Sequence, residues 1–463
     1  MLKKLLAALA VLALLALFAF GVGSLRWWPS HRDGAPRLEE VARGAGPLLA
    51  GAAVVPLDPP GLVSVAGFPR LHWQEEGRRE SVAARAVALR EPGCTVVLAS
   101  IEILLVPGPL ERAIQRRVRD LKIDHLVVAA THTHAGPGGF WDDALGERLA
   151  TGPYSDAIFE YLVDRTAAAI RQAVAAVEPA YLSVGRGSAP ELVRNRGRSK
   201  EVDGRLVALR LDALAGHRIA DLVVFPSHGT LLGLDNRRIS GDWPGALMRG
   251  SEAPLLFFQG ALGDQTPRIP ERASSAPEAY AARVRAALAA LVPSRPDPWP
   301  DLAVATAAVV LPPTELGASP PWLKRVTRNL LYRWLPDQAQ LSALRLGPVT
   351  FLAVPGEPVA EVGRRWRAAA GEGAEILALA GDYLGYVETS ERMAEQAGET
   401  VRTYYGPELA ERLAGAVKLA AEAVREAESE PGEGTAGAGP DAGAGATEDQ
   451  NRTTGSPRSL YAR

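Results

Sequence analysis

Residues 131–139 read THTHAGPGG and set two imidazoles, His132 and His134, two positions apart at the mouth of a glycine-rich turn. The chain has only seven histidines in 463 residues, so this pairing asks for a chemical reason. A neutral imidazole binds metal and carries protons near pH 7. The preceding residues, 125–130 (HLVVAA), have the apolar, β-branched character of a strand, and side chains two apart on a strand share a face. If the strand runs on, both rings look into one space; a polar strand end whose glycines merely turn the chain is the plainer alternative. Gly136 and Gly138 remove bulk beside the rings, which leaves room for a ligand or for another stretch of backbone.

The same address recurs along the chain. Residues 221–225 (DLVVF) lead into Pro226, Ser227 and His228; residues 349–354 (VTFLAV) lead into Pro355, Gly356 and Glu357; residues 376–380 (ILALA) lead into Gly381, Asp382, Tyr383 and then Tyr386. In layered α/β proteins such strand ends are where ligand sites collect. Two neutral imidazoles, a carboxylate and an open position for water would make a hydrolytic zinc site, with tyrosine a less usual ligand. A fifth strand end, 255–259 (LLFFQ), enters a turn holding Asp264 and Thr266. A hydroxyl there suits a nucleophile or a substrate contact, and an ordinary Asp/Thr turn is the alternative.

The elements that must position these residues follow from periodicity. Strand candidates are 84–89, 94–101, 125–130, 180–185, 206–211, 220–225, 255–259, 302–311, 349–354 and 375–380. Helix candidates are 109–121, 156–177, 277–291, 358–370 and 407–426, several opened by a proline in the first turn. The alternation predicts the α/β class, with layered β-sheets flanked by helices. A hydrophobic content of 47% supplies a core. A net charge of -2 and a pI near 6.4 leave no basic footprint for nucleic acid. The single cysteine, Cys94, excludes an intrachain disulfide and a cysteine-based zinc cluster, so metal ligands must come from His, Asp, Glu or Tyr.

The ends of the chain differ from its body. Residues 5–22 are an uncharged apolar run behind Lys3 and Lys4, close to the length that crosses a bilayer, and Trp27 and Trp28 stand where an aromatic belt would sit. We read 1–29 as a membrane anchor or signal segment, 30–47 as a linker, 48–428 as the catalytic domain and 429–463 as a disordered Gly/Ala/Pro/acidic tail. An uncleaved anchor leaves the catalytic domain periplasmic or extracellular; cleavage would secrete it. Residues 321–335 set Trp322, Val326, Leu330 and Trp334 at helical spacing among Lys324, Arg325, Arg328 and Arg333. That stretch either lies in a bilayer interface or docks on its own domain.

Taken together, these segments resemble the neutral, or alkaline non-lysosomal, ceramidase family. The carriers are THTHAGPGG, with Ala135 where the family hallmark has serine, and then, in order around it, LDPPG (57–61), AGF (66–68), ARAVAL (84–89), the His228 segment, ISGDWPG (239–245), GDQTP (263–267), PGE (355–357), Tyr386 and YYGP (404–407). The resemblance implies a neutral-ceramidase-like catalytic domain with one zinc ion held by His132, His228, Glu357 and Tyr386. It implies that His134 carries protons beside the metal, that Thr266 stands at the place of the catalytic serine, and that Gly136, Gly138 and Asp264 adjoin substrate. The implied reaction cleaves the N-acyl amide of ceramide, or of a related N-acyl lipid, to a fatty acid and an amine, at a membrane surface.

The chain also departs from the pattern. Thr266 keeps a hydroxyl but adds a methyl group that restricts its rotamers. Gly398 stands twelve residues beyond Tyr386, where the family has a tyrosine that steadies the oxyanion. Where the resemblance implies a C-terminal immunoglobulin-like domain, the sequence from 429 turns polar and Gly-rich. These departures keep two other readings in play: a metal-dependent hydrolase of a different amide or ester, and a catalytically weak, membrane-anchored binding protein on the same fold.

Overall fold

The structure is a computed structural model and describes residues 4, 7–14, 34–69, 74–143, 146–197, 199, 201–269, 276–317 and 335–425. In chain order its strands are β1 (Arg37–Arg43), β2 (Leu49–Pro56), β3 (Ala83–Glu91), β4 (Cys94–Ile101), β5 (His125–Ala130), β6 (Glu178–Ser188), β7 (Val193–Asn195), β8 (Arg205–Ala213), β9 (Arg218–Val224), β10 (Leu255–Phe258), β11 (Gln265–Pro267), β12 (Leu302–Val310), β13 (Gln338–Leu346), β14 (Val349–Ala353), β15 (Glu357–Pro358), β16 (Ala374–Leu377) and β17 (Tyr386–Val387). The main helices are α1 (Gly108–Val118), α2 (Asp156–Ala175), α3 (Asp242–Arg249), α4 (Ala276–Ala289), α5 (Ala360–Ala370) and α6 (Leu409–Ala423). One sheet runs β10-β9-β8-β6-β2-β3-β4-β5 and the other β1-β12-β13-β14-β16.

The period-two alternation of strand side chains decides the layering. Along β3, Ala84, Ala86 and Ala88 join one apolar cluster while Val87 and Leu89 join another; along β4, Val97, Ala99 and Ile101 part from Val96 and Leu98 in the same way. The second cluster also holds Leu302, Val304, Leu344 and Phe351, so the two sheets pack face to face around it. Helices clothe the outer faces. Leu110, Ile114, Leu162 and Ile170 of α1 and α2 lie in the first cluster, as do Trp366 of α5 and Leu413 and Val417 of α6. Trp243 and Leu247 of α3 and Tyr280 and Val284 of α4 pack with Val223 and Phe257. The result is the layered α/β architecture expected from the sequence. Close contact between layers needs a glycine at one point: a Cβ on Gly51 of β2 would sit 2.5 Å from the Ala173 carbonyl oxygen of α2.

Within the mixed sheets, β4 and β5, β9 and β10, and β14 and β16 run parallel. Each parallel pair therefore ends together, and the chain segments that leave β5, β9, β10, β14 and β16 are those that hold the polar candidates.

Besides four strands of two or three residues (β7, β11, β15 and β17), three longer strands lie outside the sequence candidates for physical reasons. Residues 37–43, assigned to the linker, form β1; its charged, exposed sequence RLEEVAR suits an edge strand that pairs only with β12, so no apolar alternation marks it. β2 is rich in Ala and Gly, and β13 interleaves Gln, Ser and Arg, which dilutes the strand signal. The short helix α3 was missed because eight residues span barely two turns. The proposed membrane segment at 1–29, apart from residues 4 and 7–14, the basic stretch 321–334 and the tail from 429 lie outside the described residues. Among the described residues, no helix is long and apolar enough to cross a membrane.

One carboxyl at the end of β3 couples the fold to pH. Glu91 is 3% exposed and its Oε1 has no hydrogen-bond partner. Burial, and then Asp301 and Asp297, raise its pKa from 4.5 to about 7. Below the unfolded value both states hold the proton; between the two values the unfolded chain ionises first, so stability falls as pH rises through that window and then levels off. Glu91→Gln should flatten this fall and stabilise the protein at pH 8 by about 1–2 kcal/mol. Urea midpoints of both proteins at pH 5 and pH 8 test it; equal pH dependence would show that Glu91 does not carry the effect.

Candidate metal centre

Backbone geometry brings the polar strand ends together. β5 stops at Ala130 and His132 adopts a left-handed φ of 63°, so the strand does not continue through the double-histidine motif. The two rings meet because the chain kinks there: His134 Nε2 lies 3.2 Å from His132 Nε2. The segments around them are tied by the buried side chain of Gln259, which directly follows β10. Its Nε2 donates to the Thr131 and Ser227 carbonyl oxygens at 3.0 and 2.8 Å, and its Oε1 accepts from the Ser227 amide at 3.0 Å. Its own carbonyl accepts from the Ala378 amide at 2.9 Å. Thr131 precedes His132, Ser227 precedes His228, and Ala378 leads toward the two tyrosines.

The ring orientations are fixed from behind. His132 Nδ1 lies 2.8 Å from the Leu104 carbonyl oxygen, and His228 Nδ1 lies 2.8 Å from that of Gln265. A carbonyl only accepts, so each neutral ring carries its proton on Nδ1 and presents a lone pair at Nε2. Those two Nε2 atoms stand 3.3 and 3.2 Å from the same oxygen, Glu357 Oε2. That oxygen is buried and accepts no hydrogen bond, while Tyr383 donates to the other carboxylate oxygen, Oε1, at 2.8 Å. Three lone-pair donors therefore converge with no proton between them, an arrangement that calls for a cation. Ligands held at about 2.0–2.2 Å by a tetrahedral ion such as zinc are about 3.3–3.6 Å apart, close to the spacing found. The residues present fit a metal ion.

Tyr386 completes the set. Its hydroxyl oxygen lies 3.1 Å from His228 Nε2 and accepts a 2.8 Å hydrogen bond from Arg196 Nη2, whose Nε donates to Glu399 at 2.9 Å. Arg196 also lies over the Tyr386 ring, 5.3 Å from its centroid. Burial, and then the Glu357 charge, keep the Tyr386 pKa well above the ordinary value, and Arg196 opposes them.

His134 differs from the other two imidazoles. The three present ring nitrogens within 4.8 Å of one another, a group able to hold a metal. Yet no carbonyl braces His134: its Nδ1 is buried without a partner, and its ring packs on Phe68 with centroids 4.7 Å apart. Burial, and then His132 and His228, depress its pKa well below the ordinary value. A neutral ring that no carbonyl braces is suited to exchanging a proton.

The remaining expected residues sit near the centre but for other reasons. A Cβ on Gly138 would come 2.1 Å from the Thr151 carbonyl oxygen, and one on Gly136 would come 2.9 Å from Thr133 Cγ2 and 3.0 Å from the Glu102 carbonyl oxygen. Their missing side chains thus admit protein backbone and packing, one of the two uses expected for them beside leaving room for substrate. Asp264, also expected against substrate, is buried with its carboxylate accepting from Gln265 Nε2 at 2.7 Å, from the Ala360 amide at 2.9 Å and from Asn195. It braces the site from within. Thr266 is half-buried on β11, next to the carbonyl that fixes His228, and pairs across to Arg194. At Gly398 no side chain fits: φ is 62° and a Cβ would meet Glu388 Oε2 at 2.2 Å. Sequence reading missed Arg196, Tyr383 and Gln259 as site residues. A signal existed for Tyr383, which shares one turn with Tyr386.

Residues 59–253 match the family described as neutral/alkaline non-lysosomal ceramidase, N-terminal. The neutral ceramidase of Mycobacterium tuberculosis is 28% identical over 200 residues, covering 38% of this chain and 31% of that protein. The neutral ceramidase of Pseudomonas aeruginosa is 24% identical over 242 residues, covering 46% of this chain and 36% of that one. The matched stretches thus span about a third of these curated relatives. The crystal structure of the Pseudomonas aeruginosa neutral ceramidase has the same fold, with a TM-score of 0.71 over 85% of this chain and 76% of that chain at 21% identity.

Removing the Asp264 carboxylate strands two buried donors, Gln265 Nε2 and the Ala360 amide, and takes one acceptor from the half-buried Asn195. Asp264→Ala should cost about 2–4 kcal/mol in urea unfolding. A loss below about 0.5 kcal/mol, the level of an ordinary surface change, would contradict the bracing role.

Proposed function

We propose that this chain is a member of the neutral/alkaline non-lysosomal ceramidase family, which residues 59–253 match, and a zinc-dependent amidohydrolase that cleaves the N-acyl amide of ceramide or a related N-acyl lipid. The observation that carries the reading is the pair of imidazole lone pairs facing an unpartnered buried carboxylate oxygen, beside an imidazole left free to move protons. His132, His228, Glu357 and Tyr386 would hold the ion. Bound there, zinc supplies Lewis acidity, polarising an amide carbonyl and making water acidic enough to ionise near neutral pH.

The chain's own residues do the rest. His134 accepts the proton that the attacking water loses and delivers it to the amide nitrogen as the C–N bond breaks. One water is consumed, its oxygen goes to the acyl carbon, and the products are a fatty acid and an amine. Thr266 contributes its hydroxyl at the reacting centre as a hydrogen-bond donor. Arg196 holds the Tyr386 oxygen in place through a charge-assisted hydrogen bond. Membrane tethering through residues 1–29, with the catalytic domain periplasmic or extracellular and residues 321–335 as a second lipid contact, would bring such an enzyme to its substrate.

Metal analysis and fatty-acid release from N-acylsphingosine, set against other acyl amides and esters, test the reading. The purified protein should hold about one zinc ion per chain, and His132→Ala should lose both metal and activity. His134→Ala should keep the metal while kcat falls about 10²- to 10⁴-fold. Protein that binds no metal at neutral pH would overturn the mechanism; turnover of another amide or an ester without ceramide would replace the substrate.

A further inference from the structure

The phenols around the centre are committed, with one exception. Tyr383 donates to Glu357, Tyr386 is engaged by Arg196, and Tyr405 donates to the Pro336 carbonyl oxygen at 2.8 Å. Tyr404 is different. It is half-buried, and among the described residues its hydroxyl has no hydrogen-bond partner.

Its backbone is anchored beside the site. The Tyr404 carbonyl accepts from the Glu315 amide at 2.9 Å, and its neighbour Thr403 bridges to Gly385. The Tyr404 ring covers Gly385 so closely that a Cβ there would sit 2.5 Å from Tyr404 Cδ2, and the φ of 78° at Gly385 favours glycine for a second reason. Gly385 directly precedes Tyr386, and its carbonyl accepts the Glu357 amide at 3.0 Å. The ring thus rests on the peptide that joins two of the proposed metal ligands. Burial, and then the Glu357 carboxylate, raise the Tyr404 pKa. The phenol therefore keeps its proton in neutral solution and stays a donor.

We propose that Tyr404 is a catalytic hydrogen-bond donor, its hydroxyl bonding the carbonyl oxygen of the scissile amide as negative charge gathers there. The inference rests on the amidase reading. The O–H bond stays intact throughout: Tyr404 stabilises the oxygen and gives up no proton, so the balance of the hydrolysis is unchanged. Such a donor acts most strongly where charge develops and only modestly on the uncharged substrate, so it raises kcat more than it lowers KM. The blocked position at Gly398 offers no competing donor from the same loop.

Tyr404→Phe removes one oxygen atom and keeps the ring on Gly385, so folding is preserved and the melting temperature should stay within a few degrees of the parent. With N-acylsphingosine as substrate, kcat should fall about 10- to 100-fold while KM changes less than about threefold, somewhat below the loss for a fully enclosed oxyanion donor. Tyr405→Phe, which removes the neighbouring phenol that bonds Pro336, should leave kcat within about twofold. Parent-level kcat in Tyr404→Phe, in a preparation whose unmodified protein is active, overturns the role of Tyr404 alone. An unmodified protein that hydrolyses none of the acyl amides overturns the amidase reading, and this inference with it.

Discussion

A buried meeting of three chain segments is possible here because one residue, Gln259, pairs polar groups that they bring, two through its side chain and the third through its own carbonyl. A primary amide offers two donors and one acceptor from a single planar head, and this one uses all three, on Thr131 and Ser227. Buried backbone groups left without partners would each carry a desolvation cost of about 1–3 kcal/mol. With that cost removed, the segments leaving β5, β9 and β16 can approach within the span of one side chain. The residues that follow them inherit that closeness. The geometry of the candidate metal centre is thus a consequence of backbone accounting several bonds away.

Around that knot the centre stores unfavourable features that the body sustains. His132 and Leu379 have left-handed φ values of 63° and 58°, and neither is glycine. The Glu357 carboxylate oxygen faces two nitrogen lone pairs. Each feature would relax in isolation, and each persists because both carbonyl braces, the Tyr383 hydrogen bond and the packed sheets leave no alternative. Asp264 extends the support by joining β11, Asn195 and the start of α5.

Much of this was legible in the sequence because apolar, β-branched runs mark buried strands and polar residues directly after them mark strand ends. The positions of β4 and β5 and the course of α1 and α2 follow from periodicity to within a few residues. His132, His228 and Glu357 share one kind of address in the sequence, and Tyr386 joins them through the resemblance to the ceramidase family. What stayed hidden depends on tertiary pairing. Arg196 lies in a polar stretch, and its partner Glu399 is 203 positions away. Gln259 reads as the last residue of a strand, with nothing local to signal a junction. The kink at His132 replaces the alternation from which a shared face was argued, so the convergence of the rings was right for the wrong reason. The glycines of the motif serve backbone contact, which composition cannot distinguish from space for a ligand.

β1 has a significance separate from the chemistry. β12 is almost wholly apolar, LAVATAAVV, and it would otherwise end the five-stranded sheet with a row of unpaired amides and carbonyls. The charged strand RLEEVAR occupies that row and turns its own exposed side outward. Lys, Arg, Glu and similar charges on an outermost strand discourage further strands from adding. A seven-residue segment immediately after the N-terminal region therefore acts as a guard against self-association. Proteolytic clipping beyond residue 43 would leave the residues of the centre in place yet strip the β12 edge of its partner, opening an apolar strand to pairing with other chains.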